Sequence, residues 1–288
     1  QEAALGPDDR PVTTTLLTLA NNARGLGRYD EAVRLLRRAL DARERTLGPA
    51  HALTAEPMLH LGDVLYEYMG EPEEAERLFR RALDILERRL GENDLALIHG
   101  LHSLGDLLSR QARYQEAEAL LRRAMTVLSD ALGSRHPRTV GSGLHLAAAL
   151  MRQDRHAEAE RLARDVVEVW REAYGPGHPS VASARVSLAQ ALAGQDRLDP
   201  AEAEARRALE IRRDALGERS LMVGLTLTTL GDVVRQKGET ERARAIYREG
   251  RAVLLEHLQP SHPQVRDIDL RLESLDTPVP GPTTAGSG

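Results

Sequence analysis

VTTTLLTLANNARGLGRYDEAVRLLRRALDARERTLG, residues 12–48, decides the fold. Its first part places apolar side chains at i, i+3, i+4 and i+7, the spacing of an amphipathic helix with one buried stripe. A break follows at GRYDEA, residues 27–32, and then a longer stretch with the same periodicity runs to Leu47. Gly48 stands just past the last apolar residue, a helix-stop signal that relies on glycine entering the left-handed region without strain.

The unit recurs along the whole chain. A Leu-Gly-type step stands at Gly6, Gly48, Gly91, Gly133, Gly175 and Gly217, with spacings of 42, 43, 42, 42 and 42. A seventh step, Leu258-Gln259, carries Gln in place of Gly. The one extra residue lies between Gly62 and Gly70, inside the first helix of the second repeat. Connectors read His-Pro at His136-Pro137, His178-Pro179 and His262-Pro263, and proline suits the first turn of a helix because its missing N–H would be unpaired there anyway. Small residues fix the register. The first helices carry Ala20, Gly62, Gly105, Ala147, Ala189 and Gly231, and the second helices carry Ala32, Ala75, Ala117, Ala159, Ala201 and Ala243. A third set is Ala39, Ala82, Ala124, Val166, Ala208 and Gly250. Small side chains at fixed positions let two helix backbones approach while Leu ridges on either side fill the grooves.

At these residues the chain resembles the tetratricopeptide repeat family. Through an LGPxHP-like connector at residues 47–51 and 174–179 it is most similar to the 42-residue, kinesin-light-chain-like subclass. The resemblance covers residues 1 to about 275. It implies an all-α, right-handed α-solenoid of six helix pairs at 11–48, 55–91, 96–133, 138–175, 180–217 and 222–259. A capping helix is expected at 263–275, because a terminal repeat has no neighbour to bury its apolar face. Residues 1–276 then form one array, elongated and curved, and 277–288, TPVPGPTTAGSG, form a flexible tail. The opening QEAALGPDD matches the end of a repeat, so the chain reads as cut from a longer protein. The Leu-Asn-Asn-Leu-Ala signature of the eukaryotic cargo binders is replaced at every repeat, for example by Leu17-Thr18 and His102-Ser103, so their cargo specificity does not carry over.

Composition narrows the function. The 288 residues carry a net charge of −5, no cysteine, and only 3% aromatics. Thiolate metal sites and disulfides are excluded, and no apolar run reaches the ~20 residues that span a bilayer. A cytoplasmic, reducing setting is expected. Of 39 basic residues only Lys237 is lysine, a bias that hints at a GC-rich bacterial genome. The arginines alternate with Glu along the helices, a solvated pattern unlike the one-sided basic stripe of a nucleic-acid binder. No nucleic acid, membrane or cofactor is implied, whereas self-association through the array ends is compatible with the architecture.

No catalytic motif emerges, and a non-enzymatic role is expected. The glycines mark helix ends, and nothing in the spacing of His, Ser and Asp selects a triad. His51, His136, His178 and His262 share one connector position, and His156 takes the place of Tyr29 and Tyr114. Trp170 stands where other repeats have Leu86, Leu128 and Leu254, a packing position. His60, His99, His102 and His145 instead fall on first helices, which line the concave surface in this family. Groove-facing places lie six, three and two residues before the small residue and one, four and five after it, one face of a helix. The candidate groove residues are Asn21, His60, Asp63, His102, Asp106, His145 and Arg152, with Arg24, Glu56, Arg110, Gln190, Asp232 and Arg235 at further groove places. No metal-ligand motif such as His-Glu-x-x-His is present, so no metal is assigned, and a polar, pH-sensitive groove is the preferred reading. Asp63 and Asp106 stand at one repeat position on neighbouring helices, so a basic group from a partner is expected between them.

The leading function is therefore a scaffold that binds a peptide or protein segment in its groove. A second is the regulatory arm of a larger bacterial signalling enzyme, a Ser/Thr kinase or nucleotide-switch protein, with its catalytic part upstream of Gln1. A helical-repeat RNA binder is disfavoured by the charge and the scarcity of aromatics for stacking.

Overall fold

The structure, a computed structural model, describes residues 10–276. The opening segment and the expected tail lie outside the described residues. Thirteen α-helices follow one another, with no strand among the described residues. The first helices of the six pairs are α1 (Arg10–Gly25), α3 (Ala55–Val64), α5 (Leu97–Arg110), α7 (Pro137–Met151), α9 (Pro179–Ala193) and α11 (Leu221–Gln236). Their partners are α2 (Tyr29–Leu47), α4 (Pro72–Leu90), α6 (Tyr114–Leu132), α8 (His156–Tyr174), α10 (Leu198–Leu216) and α12 (Thr240–Leu255), and α13 (Pro263–Asp276) covers the last pair. Each helix packs on its pair partner, and each second helix packs on the first helix that follows it, the nearest-neighbour pattern of an α-solenoid.

The pair contact is as tight as the small residues require. A Cβ on Gly62 would stand 2.5 Å from the Phe79 ring, and one on Gly105 would stand 2.7 Å from Leu121 Cγ. Gly231 meets Tyr247 in the same way. Sixteen or seventeen residues separate the members of each pair, so the same contact in the other repeats is Ala20 with Leu36, Ala147 with Ala163 and Ala189 with Ala205. Volume is thus balanced across the contact: glycine opposes Phe, Leu or Tyr, and alanine opposes Leu or Ala. Phe79, Leu121 and Tyr247 are fully buried, each stabilising its repeat by roughly 1.5–3 kcal/mol through burial.

Two kinds of turn alternate, with different demands. Between pair partners, Gly27, Gly70, Ala112, Asp154, Asp196 and Gly238 occupy one repeat position, all at φ between 58° and 81°. Asp tolerates this left-handed region, whereas Ala112 bears the Cβ clash with no local compensation. After each long helix, Gly48, Gly91, Gly133, Gly175 and Gly217 have φ of 85–97° but ψ of 151–163°. This is the extended mirror region, open essentially to glycine alone, and not the left-handed helical region expected from the cap signal. It explains why glycine is strict here. Where Gln259 replaces it, α12 stops after 16 residues, while α2, α4, α6, α8 and α10 each run for 19.

The residue three places after that glycine caps the next helix. Nδ1 of His51, His136, His178 and His262 accepts the N–H two residues on at 3.1–3.2 Å. Asp94 Oδ1 and Ser220 Oγ do the same in the remaining connectors. One otherwise unpaired helix N–H is satisfied each time. The extra residue of the second repeat is absorbed as a π-helical turn at Leu65–Met69, closed by Gly70, which keeps the downstream register intact.

The expected open, elongated arc is corrected by one contact. Tyr29 and Tyr68, in the first two pair turns, stack at 4.1 Å, and the His262 ring lies against both at 6.1 and 6.0 Å. Six pairs bring the last connector back onto the first turns, so the array curls through a closed turn around its concave face.

Two substitutions test this packing. Gly62→Ala is expected to lose about 1–3 kcal/mol by overpacking, and adding Phe79→Leu, which recreates the Ala20–Leu36 pairing, is expected to recover much of it. Urea unfolding of both variants measures the coupling. Ala112→Gly is expected to raise stability by about 0.5–1 kcal/mol in the same assay, because it removes the left-handed alanine.

Candidate partner-binding groove

The first helices lie side by side and turn one polar face to the inside of the curl. On α3, His60 and Asp63 are one turn apart and face α5. There His99 Nε2–H donates to Asp63 Oδ2 at 2.7 Å, and Ser103 Oγ–H donates to Asp63 Oδ1 at 2.8 Å. The His60 and His99 rings are 5.2 Å apart and tilted by 58°. On the other edge of α5, His102 and Asp106 face α7. His145 Nδ1–H donates to Asp106 Oδ2 at 2.9 Å, His102 Nε2 and Ser142 Oγ share a 2.6 Å hydrogen bond, and the His102 and His145 rings stack at 4.1 Å. The six histidine and aspartate side chains therefore do share one surface, but as two separate helix-to-helix clusters.

Each aspartate has its own imidazole. Residue spacing predicts a basic group from a partner between Asp63 and Asp106; within the chain each already accepts a hydrogen bond from an imidazole, 36 and 39 residues further on. Burial, then the neighbouring His99, pushes His60 below the ordinary histidine value. Burial, then His145 and His99, pushes His102 down to about 3. His102 therefore stays neutral through the range where an exposed histidine titrates.

The groove continues past the fourth repeat into a cavity of about 810 Å³, lined among others by Arg152, Gln190, Asp232, Arg235, Leu270 and Arg271. The cap α13 thus does more than cover a face. Its Arg271 holds Asp232 at 2.7 Å, and Leu270 stands 64% exposed at the rim. Tyr247 O–H donates to the same Asp232 oxygen.

The groove arginines differ from the groove acids. Arg110 lies over the Tyr66 ring at 5.5 Å, Arg152 reaches only the Ala148 carbonyl, and Arg235 bonds the Tyr247 hydroxyl. With Arg24, none of the four forms an ion pair among the described residues. Arg24 and Arg110 both act on Glu67, and Arg110 and Arg152 both act on Tyr66, so Arg24, Arg110 and Arg152 converge on the π-helical turn. Asn21, on α1, is exposed and makes no hydrogen bond among the described residues. Residue spacing placed most of these side chains on the groove. It did not single out Ser103, Ser142 or Arg271, because a lone Ser or Arg on a helix carries no signal until the facing helix is known.

Comparison with known proteins fits this architecture. The tetratricopeptide repeat model matches residues 11–88, 65–130 and 139–214. No curated protein matches the sequence. Among solved structures, the kinesin light chain nearly identical TPR-like repeats of Podosopora anserina are 21% identical, with TM-score 0.56, over 72% of this chain and 97% of theirs. BtubC (BKLC) of P. vanneervenii is 19% identical, with TM-score 0.57, over 92% and 96%. A Rap protein complexed with Competence and Sporulation Factor is 13% identical, with TM-score 0.63, over 92% and 74%. At these identities the likeness is one of fold.

The depressed His102 gives a stability signature. The unfolded chain takes up this proton near pH 6.5 and the folded chain only near 3, so the unfolded state binds more protons between those values. Stability contributed by neutral His102 is complete above pH 6.5 and is lost as pH falls toward 3, by at most about 1.4 kcal/mol per unit. His102→Gln is expected to flatten that decline, measured by urea unfolding at pH 7, 6, 5 and 4.

Proposed function

Because the chain belongs to the tetratricopeptide repeat family, whose fold is typical of protein-interaction scaffolds, we propose that it is a scaffold whose groove binds an acidic protein segment. One observation carries this reading. Within the groove, Asp63, Asp106 and Asp232 are each engaged by a side chain of this protein, while Arg24, Arg110, Arg152 and Arg235 form no ion pair among the described residues, although Glu67 lies near Arg24 and Arg110. The uncommitted charge on the concave face is therefore positive, although the chain as a whole carries −5. Asn21, His60, Asp63, His102, Asp106, His145 and Arg152 form the walls along repeats one to four, and the cavity with Gln190, Arg235 and Leu270 extends the surface to the cap.

The physical chemistry favours a carboxylate-bearing occupant. Arginine offers a planar fork of donors that matches a carboxylate, and the pair strengthens where the concave wall keeps water away. A side chain such as Leu270 gives an apolar foothold beside those charges. The Rap protein complexed with Competence and Sporulation Factor is a precedent for a bound factor on this fold.

Charge reversal tests the proposal. With a partner segment selected from a peptide library, Arg110→Glu together with Arg152→Glu is expected to weaken binding by at least about tenfold per lost contact. Arg88→Ala, at an exposed ion pair with Asp84 outside the groove, is expected to leave affinity unchanged. Selected segments rich in Lys or Arg, or an affinity indifferent to the double reversal, would reject an acidic occupant.

A further inference from the structure

His60, Asp63 and His99 do not behave like the rest of the groove. Three potential ligand atoms, two imidazole nitrogens and a carboxylate oxygen, all lie within 4.8 Å of one another, contributed by two neighbouring first helices. We propose that these three side chains form a binding site for a transition-metal ion, best matched to Zn²⁺, that clamps the second repeat to the third.

The donor set selects the ion. Two neutral nitrogens and one anionic oxygen suit zinc and its first-row neighbours, whereas magnesium and calcium require a shell of oxygens. Zinc bonds of about 2.0–2.2 Å in a tetrahedron place ligand atoms roughly 3.3 Å apart. His99 Nε2 and Asp63 Oδ2 stand 2.7 Å apart and need to open slightly, and the His60 nitrogen lies within 4.8 Å of both. His60 and Asp63 share one turn of α3, so these are side-chain rotations on a half-buried surface and leave the backbone where it is. The His99 side chain is 39% exposed, so the ion has access and a fourth position is open to water.

The surroundings fit. Ser103 Oγ–H holds Asp63 Oδ1 and fixes the carboxylate so that Oδ2 faces the imidazoles, the outer-shell support that ligating carboxylates usually have. His60 makes no hydrogen bond of its own among the described residues, so its ring nitrogens are available to ligate. Glu56 acts on His60 and Glu67 lies beside Asp63, both favouring a cation, with Arg24 opposing them. The second cluster of the groove provides a built-in contrast. His102 and His145 lie nearly parallel, at 14°, and their bonded nitrogens face Ser142 and Asp106, so the two rings cannot converge on one ion.

A metal-free staple is the competing role, in which the His99–Asp63 bond only ties α3 to α5, and calorimetry separates the two. The untagged chain, freed of metal by a chelator, is titrated with ZnCl₂ and separately with MgCl₂. The expected result is one Zn²⁺ per chain and no Mg²⁺, with affinity reduced at least about thirtyfold by His60→Ala or Asp63→Asn and unchanged by His145→Ala, the loss typical of removing a ligand or its support. Circular dichroism verifies the fold of each variant, and Asp63→Asn, nearly isosteric, stands in if His60→Ala unfolds. X-ray absorption is expected to show only nitrogen and oxygen neighbours near 2.0–2.1 Å. Absence of zinc binding by the parent, equal binding of magnesium, retention of zinc by both ligand variants, or an equal loss in His145→Ala would each overturn the site.

Discussion

Everything in this molecule depends on how closely the two helices of a pair approach. At Gly62, Gly105 and Gly231 the backbone of one helix lies directly against a buried Phe, Leu or Tyr of the other, with no room for a methyl group. Elsewhere Ala20, Ala147 and Ala189 take the place with a Leu or Ala opposite. The contact is short-range in sequence, 16 or 17 residues, and it repeats, so each pair is built locally and stacked on the previous one. Stacking sets the first helices side by side, and that alone creates a concave face on which residues 36–40 apart can meet.

The outer edges of the array show how the charges are otherwise spent. Glu76, Glu118 and Glu160 recur every 42 residues, and each receives the arginine 37 residues on, Arg113, Arg155 and Arg197, at 2.6–2.8 Å. The pattern would fail at the last step, where Glu239 takes the arginine place and faces Glu202. Lys237, the chain's one lysine, sits there with its ammonium 2.8 Å from Glu202 and 3.5 Å from Glu239. Burial would raise the Glu202 carboxyl, but hydrogen bonds from Lys237, Arg206 and Arg242 hold it down to about 2. Against this background of paired charge, the unpaired groove arginines are a departure, and the proposed function rests on that difference.

The fold was legible because its governing contact is periodic and local. Small residues, connector glycines and His-Pro steps all fall at fixed offsets, so one chain displayed six aligned copies of its own rule. What the sequence hid is pairwise or aperiodic. Asp63 and Asp106 looked like two unmet charges because nothing in spacing shows that an imidazole on the next helix reaches each. The closed turn at Tyr29, Tyr68 and His262 joins the first two repeats to the last connector, beyond any local pattern. The fifth repeat breaks the core rule outright: Arg185 and Glu204 form an ion pair where other repeats place Leu101 and Leu120, and Arg212 lies 4% exposed against Thr226 and Ser183 with no carboxylate. The apolar periodicity of α9 and α10 gave no warning, because long side chains at core positions read as solvated ones.

The account's central claim is that the polar inner face of the first helices, not the outer face of their partners, receives another protein. Hydrogen exchange followed by mass spectrometry, with and without a selected Asp- and Glu-rich segment, tests this most directly. Slower exchange is expected in α1, α3, α5, α7, α9 and α11, extending to α13, and little change in α4, α6, α8 and α10. Protection confined to those second helices, with the groove helices unaffected, would contradict it.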